Sequence, residues 1–296
     1  MGFSSMDDFI NETSTNGKFL RTDWNKNFLP TTPAVAGEWF SLSRGTGNPT
    51  ADDIFNKGLT LSMTGLSYSS ASASGIYVGG DTGTDTKHIV NASAYSAAAT
   101  TMPSIIMAVD VLSYVRVTSV TSTAAQIIAT FSLPRYASGA GVQVYIVNTN
   151  ATAMGAATPT ITLVYTNSNG VTSSTPTPLP VCKTAAANGL ILYSGTGVGK
   201  YGPFVPLKSG DSGVRAVNSI KLSASYVSGE FAIVLCKPLF TLPMTTIGVA
   251  SERDFMNQVP SLPRVYDGAN IHLLLYNGAA TPINSSFYGH IDVAWG

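Results

Sequence analysis

Beyond about residue 51 the chain reads as strands separated by turns, with no sustained helical periodicity. Ile105, Met107, Val109 and Val111 alternate with less uniformly apolar neighbours, and residues 114–120 continue that strand. Further strands are expected at 126–133, at 142–148 after the turn-like Ser138-Gly139-Ala140-Gly141, and at 160–165. Asn167-Ser168-Asn169-Gly170 then makes a tight turn, because Asn and Gly tolerate positive φ, and Val171 and Thr172 start an antiparallel return. Pro176, Pro178 and Pro180 exclude a central strand over 175–180 and mark an edge or crossover. Later strands are expected at 189–193, 214–226, 230–237, 271–276 and 286–294, with a short helix from Ser251 through Glu252, Arg253 and Asp254 to about Gln258. Short strands and Gly/Pro turns define a mostly β chain folded as an antiparallel β-sandwich.

The first fifty residues break this pattern. Ser4 or Ser5 caps a short amphipathic helix through Met6, Phe9 and Ile10, with Asp7 and Asp8 placed favourably in its first turn. From residue 17 to 49, Trp24, Phe28, Leu29, Trp39 and Phe40 fall between Pro30, Pro33 and several Gly without a period. Aromatic side chains in an irregular segment need cover, on their own body or on a neighbouring subunit. Residues 1–50 are therefore expected to be a helix and extended docking arm, with Phe9, Trp24, Phe28, Trp39 and Phe40 as partner-binding candidates. Residues 51–296 form the body, with a division into two β subdomains near 171–188 left open.

Composition sharpens the picture. Charged residues are 11% of the chain and hydrophobic ones 44%, against roughly 25% charged in an ordinary soluble domain. Ser, Thr, Asn and Gly carry the polar surface instead, which leaves little electrostatic protection against association and suits a homo-oligomer or an assembly. Net charge is zero and Lys and Arg form no block, so neither nucleic acid nor an anionic membrane is an expected partner. No apolar run is long enough to span a bilayer, and residues 1–16 lack the pattern of a secretory signal. Gly2 lacks the Ser or Thr that myristoylation wants at position 6, where Met6 stands. Cys182 and Cys236 show neither CxxC spacing nor a His cluster, so two buried thiols are expected, with a single disulfide left open.

Each motif that suggests chemistry lacks its companions. Gly210-Asp211-Ser212-Gly213 resembles the nucleophile loop of chymotrypsin-like proteases, and His88, Asp110 and Ser212 follow the required chain order. Val214 replaces the next glycine, however, and Asp110 sits in an apolar strand. Asp81-Thr82-Gly83 has no second copy to make an aspartic-protease pair, and Asp81, Asp85 and His88 lack EF-hand spacing. The run from Gly195 to Lys200 is one residue short of a phosphate loop and is followed by Tyr201. His272 and His290 lie in expected strands without an identifiable acid partner. Among Glu230, Glu252 and Asp267 a glycosidase pair needs a spatial meeting that sequence does not place. The expectation is a binding or structural protein, not an enzyme, with no cofactor and no metal.

Tyr201-Gly202-Pro203-Phe204-Val205-Pro206-Leu207, Ser209 to Gly213, Glu252-Arg253-Asp254, Pro260 to Gly268 and the ending Tyr288 to Gly296 together resemble virion structural proteins of tailed bacteriophages. The opening Met6-Asp7-Asp8-Phe9-Ile10-Asn11 is similar to theirs as well. The resemblance covers under half of the chain and specifies no reaction. It implies a jelly-roll-like form of the sandwich and a place in the virion, assembled in the host cytoplasm. Its implied role is head decoration or cement, with the major capsid protein and copies of itself as partners and a trimer as one oligomeric form. A tail, baseplate or fibre protein that binds host-surface glycans is the implied alternative.

Overall fold

The computed structural model describes residues 2–28, 36–52, 54, 62–67, 74–98, 101–149, 159–176, 179–180, 189–192, 202–258, 261–281 and 284–296. Among them seventeen strands form three sheets in which every strand pair is antiparallel. The first sheet runs β14 (Ser251–Asp254), β5 (Lys87–Ser96), β17 (Ser286–Trp295), β1 (Phe19–Asn27) and β3 (Gly47–Asn48), with β15 (Arg264–Val265) also on β5. The second runs β2 (Glu38–Ser41), β16 (Ile271–Asn277), β6 (Ser104–Arg116), β13 (Phe231–Met244) and β8 (Gln143–Asn148), with β4 (Ser62–Ser67) on the far half of β6. The third runs β10 (Thr172–Ser174), β9 (Thr160–Asn167), β12 (Val214–Leu222) and β7 (Gln126–Ile127), with β11 (Leu179–Pro180) also on β9. The chain is the mostly β, antiparallel sandwich that its pattern predicts, in the jelly-roll-like form that the resemblance implies.

Two cores share the second sheet. Ile106, Ala108, Phe240, Leu242, Met244, Ile271, Leu273 and Leu275 face the first sheet, where they meet Trp24, Ile89, Ala92, Phe287 and Ile291. Val109, Val111, Val115, residues 231–236 and Val144 to Val147 belong instead to the core closed by Ile161, Leu163, Tyr165, Val217 and Ile220 of the third sheet. Serving two cores explains why β6 and β13 are 13 and 14 residues long, against about 5–6 for an ordinary strand. Register shifts at Leu235/Cys236 and Pro238/Phe240 let the pair bend between them. Pro238 and Pro243 sit beyond Cys236, where β8 has ended, so their missing N–H groups leave no ladder bond unmade on that side.

The third sheet contains the expected hairpin. Thr172 pairs with Thr166 and Ser174 with Val164. Asn167 Oδ1 accepts from the N–H groups of Asn169 at 3.0 Å and Val171 at 2.9 Å, while Gly170 takes φ +79°. The helix α1 (Met6–Ile10) starts where expected, with the Ser5 hydroxyl accepting from Asp8 N. The strand expected over 105–120 is β6, which ends at Arg116, while 126–133 shortens to β7 and 214–226 to β12. Within 189–193, Leu190 and Ile191 make only isolated bridges, to Phe40 and Val147.

Three expectations are corrected. Ser251 to Asp254 is not a helix start but the edge strand β14, paired with Ala94 to Asn91. The helix α2 is only Phe255–Gln258, and Asp254 caps it by accepting from Met256 N at 2.8 Å. Residue 50 is no structural boundary, because β1 runs for nine residues beside β17 and β2 pairs with β16. The segment expected to be a docking arm is thus woven into two sheets of the body. A division near 171–188 falls partly on residues outside those described, and the two cores are joined by β6 and β13.

Candidate functional site

Alternation along the first sheet sends one set of side chains inward and the other to solvent. In β1, Trp24 and Lys26 are buried while Arg21, Asp23 and Asn25 are exposed. The register then aligns outward residues of neighbouring strands into rows. Asn48, Asn25, Tyr288 and Tyr95 form one; Asp23, His290, Ser93 and Glu252 the next; Arg21, Asp292, Asn91 and Asp254 the third. The first two rows border a groove of about 300 Å³ lined by Asp23, Asn25, Asn48, Tyr95, Tyr288 and His290, with Gly289 beneath.

The groove is built rather than incidental. Tyr95 and Tyr288 stack across β5 and β17 with ring centroids 5.3 Å apart and an interplanar angle of 23°. His290 Nδ1 shares a 2.7 Å hydrogen bond with Ser93 Oγ, which fixes the imidazole. Asn48 donates its backbone N–H to Asn25 Oδ1 at 2.7 Å and its side-chain amide to Asp23 O at 3.2 Å. Gly289 is required under the row, since a Cβ there would lie 2.0 Å from Ser93 O and 2.5 Å from the Trp24 ring.

Elsewhere on this face the carboxylates are occupied. Asp292 accepts both arms of a bidentate bond from Arg21, at 2.8 and 2.7 Å, Glu252 accepts from Asn91 Nδ2 at 2.6 Å, and Asp254 caps α2. Asp23 makes no side-chain hydrogen bond or ion pair among the described residues, and its exposed carboxylate opens onto the groove.

The partner-binding candidates are placed differently from their expected docking role. Trp24, Phe28 and Phe40 are buried in the core between the first two sheets, and Trp39 lies in the other core against Tyr276 at 5.3 Å. Phe28 meets Phe40 edge-on at 4.9 Å. Their cover is the chain itself, because strand alternation in β1 and the β2–β16 pairing turn them inward. Only Phe9 stays half-exposed, against Phe3 at 4.9 Å, while Met6 and Ile10 of the same helix project to solvent.

The motifs that suggested catalysis do not converge. Asp110 is buried in a bidentate pair with Arg135, His88 lies against Phe3, and Ser212 bonds Ser168. Asp211 accepts from the Tyr165 hydroxyl at 2.8 Å and Asn167 Nδ2 at 2.7 Å, which holds its carboxyl below the usual range. Asp81 closes its own turn onto Gly83 N, and Asp85 pairs with Lys18. Among the described residues no three His, Cys, Asp or Glu side chains are grouped to hold a metal ion. Glu230, Glu252 and Asp267 bind three different partners, Arg116, Asn91 and Lys87. Cys236 is a buried free thiol whose burial pushes its pKa well up. Cys182 and the run from Gly195 to Lys200 lie outside the described residues. The groove residues Asp23, Asn25, Asn48, Ser93, Tyr95 and Tyr288 were not singled out from sequence. Their signal was the polar half of the alternation at Asp23/Asn25 and Tyr288/His290.

No protein-family model matches the chain, and no curated protein matches it. Among solved structures, the VP2 subviral particle of infectious bursal disease virus aligns over 96% of this chain and 86% of its own, at 8% identity and a TM-score of 0.20. A second structure, of the Gt strain of that virus, aligns over 94% and 80%, at 11% identity and a TM-score of 0.16. Scores of that size reflect length and β content rather than a common arrangement of strands.

Proposed function

We propose that this chain is a non-enzymatic structural component of a tailed-phage particle, a decoration protein that binds the major capsid protein and copies of itself and stabilises the head lattice. The observation that carries this is where the few charges go. Among the described residues Lys26, Lys87, Arg116, Arg135, Asp52, Asp110 and Asp292 are buried, which takes seven of the sequence's 32 charged groups off the surface of a chain that is only 11% charged. Lys26 donates to three carbonyls, of Gly45, Pro49 and Thr50, and Lys87 reaches Gly79 O, Gly80 O and Asp267. Charge spent on holding loops leaves a Ser/Thr/Asn surface with little repulsion between copies, as a lattice protein needs. The phage resemblance of the C-terminal third points the same way.

With Trp24, Phe28, Trp39 and Phe40 inside the body, docking falls to the exposed side of α1, where Met6 is 56% and Ile10 is 53% exposed. The test is to count the chain against the major capsid protein in purified particles by quantitative peptide mass spectrometry, and to measure head binding of the M6S/I10S variant. Many copies per head and weakened binding by the variant are expected. A handful of copies per particle would move the chain to the tail, and its absence from particles would sink the proposal.

A further inference from the structure

We propose that the groove between β1, β3 and β17 is a carbohydrate site for neutral hexopyranose units. A sugar ring offers an apolar face of C–H bonds and a rim of hydroxyls. Its receptor therefore needs an exposed aromatic face beside acceptors and donors set in the plane of the ring. Tyr288 and Tyr95 supply the rings, and Tyr95 is 37% exposed. Asp23 supplies a carboxylate with no hydrogen-bond or ion-pair partner among the described residues, and Asn25 keeps its amide N–H groups after Asn48 has taken its oxygen, while His290, with Nδ1 on Ser93 and a buried Nε2 3.9 Å from Asp292, contributes only its ring to the wall.

Size and charge narrow the ligand. About 300 Å³ is at the small end of ligand pockets, roughly 300–1,000 Å³, and suits one or two sugar rings. Among the described residues no Lys or Arg lines the groove, and the nearest arginine in the rows, Arg21, is committed to Asp292. A phosphate or an anionic sugar would meet the Asp23 carboxylate without a cation to offset it, which disfavours nucleic acid and sialylated or uronic glycans alike. A quaternary amine would suit Asp23 but wants rings on several sides, and here the two stacked tyrosines make a single aromatic wall. The site does not depend on where in the particle the chain sits, and a glycan-binding groove would equally serve a fibre that meets a host surface.

The experiment is saturation-transfer NMR followed by titration calorimetry on the whole chain. The probes are neutral oligosaccharides of glucose, galactose, mannose and N-acetylglucosamine, with sialyllactose and phosphocholine as charged arms. Binding by at least one neutral oligosaccharide is expected, weakened at least tenfold in Asp23→Ala and in Tyr95→Ala. Tyr95→Phe should retain most of the affinity. Glu252→Gln, on the same face outside the groove, should leave it unchanged. Matching thermal melting curves will show that the variants fold. Failure of every neutral probe up to 10 mM, preference for either charged arm, or affinity indifferent to Asp23 and Tyr95 would each overturn the proposal. Copy number in the particle is read separately, so either idea can fail alone.

Discussion

At the scale of single residues, the buried ions are where this chain is most easily broken. Asp110 lies 1% exposed beneath Arg135, accepts from its Nε at 2.9 Å and Nη2 at 2.7 Å, and takes a third bond from Asn270 N at 2.9 Å. Arg135 also donates to Val111 O at 3.0 Å, so the pair ties β6 to the loops on either side. Removing one partner strands a charge in the core, which costs about 3–5 kcal/mol. Asp110→Asn and Arg135→Met should each lose that much in urea denaturation, with the m-value unchanged. Arg21 is bidentate to Asp292 as well, but its side chain is 52% exposed while that of Asp292 is 4% exposed, so Arg21→Gln leaves a carboxylate at the edge of solvent and should cost about 1–3 kcal/mol, less than the inner pair. Equal losses from the two sites would mean that burial is not what gives the inner pair its weight.

At the scale of elements, the 167–170 turn and the Ser5 cap were read correctly because they are self-contained, whereas the helix start read at Ser251 was overridden by pairing with β5. The 167–170 turn needs only its own residues: Asn167 satisfies two backbone N–H groups, and at Gly170, with φ +79°, a Cβ would have no neighbour within 4 Å. Strain alone should therefore decide substitutions there, with Gly170→Ala costing about 1 kcal/mol and Gly170→Asn less, measured by thermal melting. Strand β1 was unreadable for the opposite reason. Its inward set mixes Leu20 and Trp24 with Thr22 and the buried Lys26, while Phe19 points outward at 41% exposure, so the period of two is hidden. Only the carbonyls of Gly45, Pro49 and Thr50, set in place by distant pairing, make an inward lysine tolerable. The groove escaped sequence reading on the same account, because Asp23 becomes a neighbour of His290 only through the β1–β17 register. This weaving predicts that a chain lacking residues 1–16 still unfolds cooperatively. One lacking 1–50 loses β1, β2 and β3 and should give no cooperative transition by circular dichroism.

At the scale of the whole molecule, the buried titratable groups set a working range of pH. Burial lowers the pKa of His272, which lies in the core between Ser43 Oγ at 2.6 Å and Asp52 Oδ2 at 3.2 Å, and burial lowers that of His88 as well. In the unfolded chain both rings take up protons near their ordinary value of about 6.5. Below that value the unfolded state binds more protons than the folded one, so stability falls as the pH drops. Asp211, Asp254 and Asp267 have lowered values and add to the loss once the pH falls below the ordinary carboxylate range. On the alkaline side burial brings Lys26 down to about 8, so between there and its unfolded value the unfolded chain again holds the extra proton, and this group adds stability with rising pH. Tyr165, pushed up to about 12 by burial, reverses the trend only above about 10, where an unfolded tyrosine ionises. The melting temperature should therefore drop between pH 6.5 and 5 and be no lower at pH 9.5 than at 7.5. His272→Gln should shrink the acid loss, and Lys26→Met should flatten the alkaline side despite a lower melting point throughout. A melting temperature that stays level from pH 7 to 5 would show that these imidazoles are not held neutral by the fold.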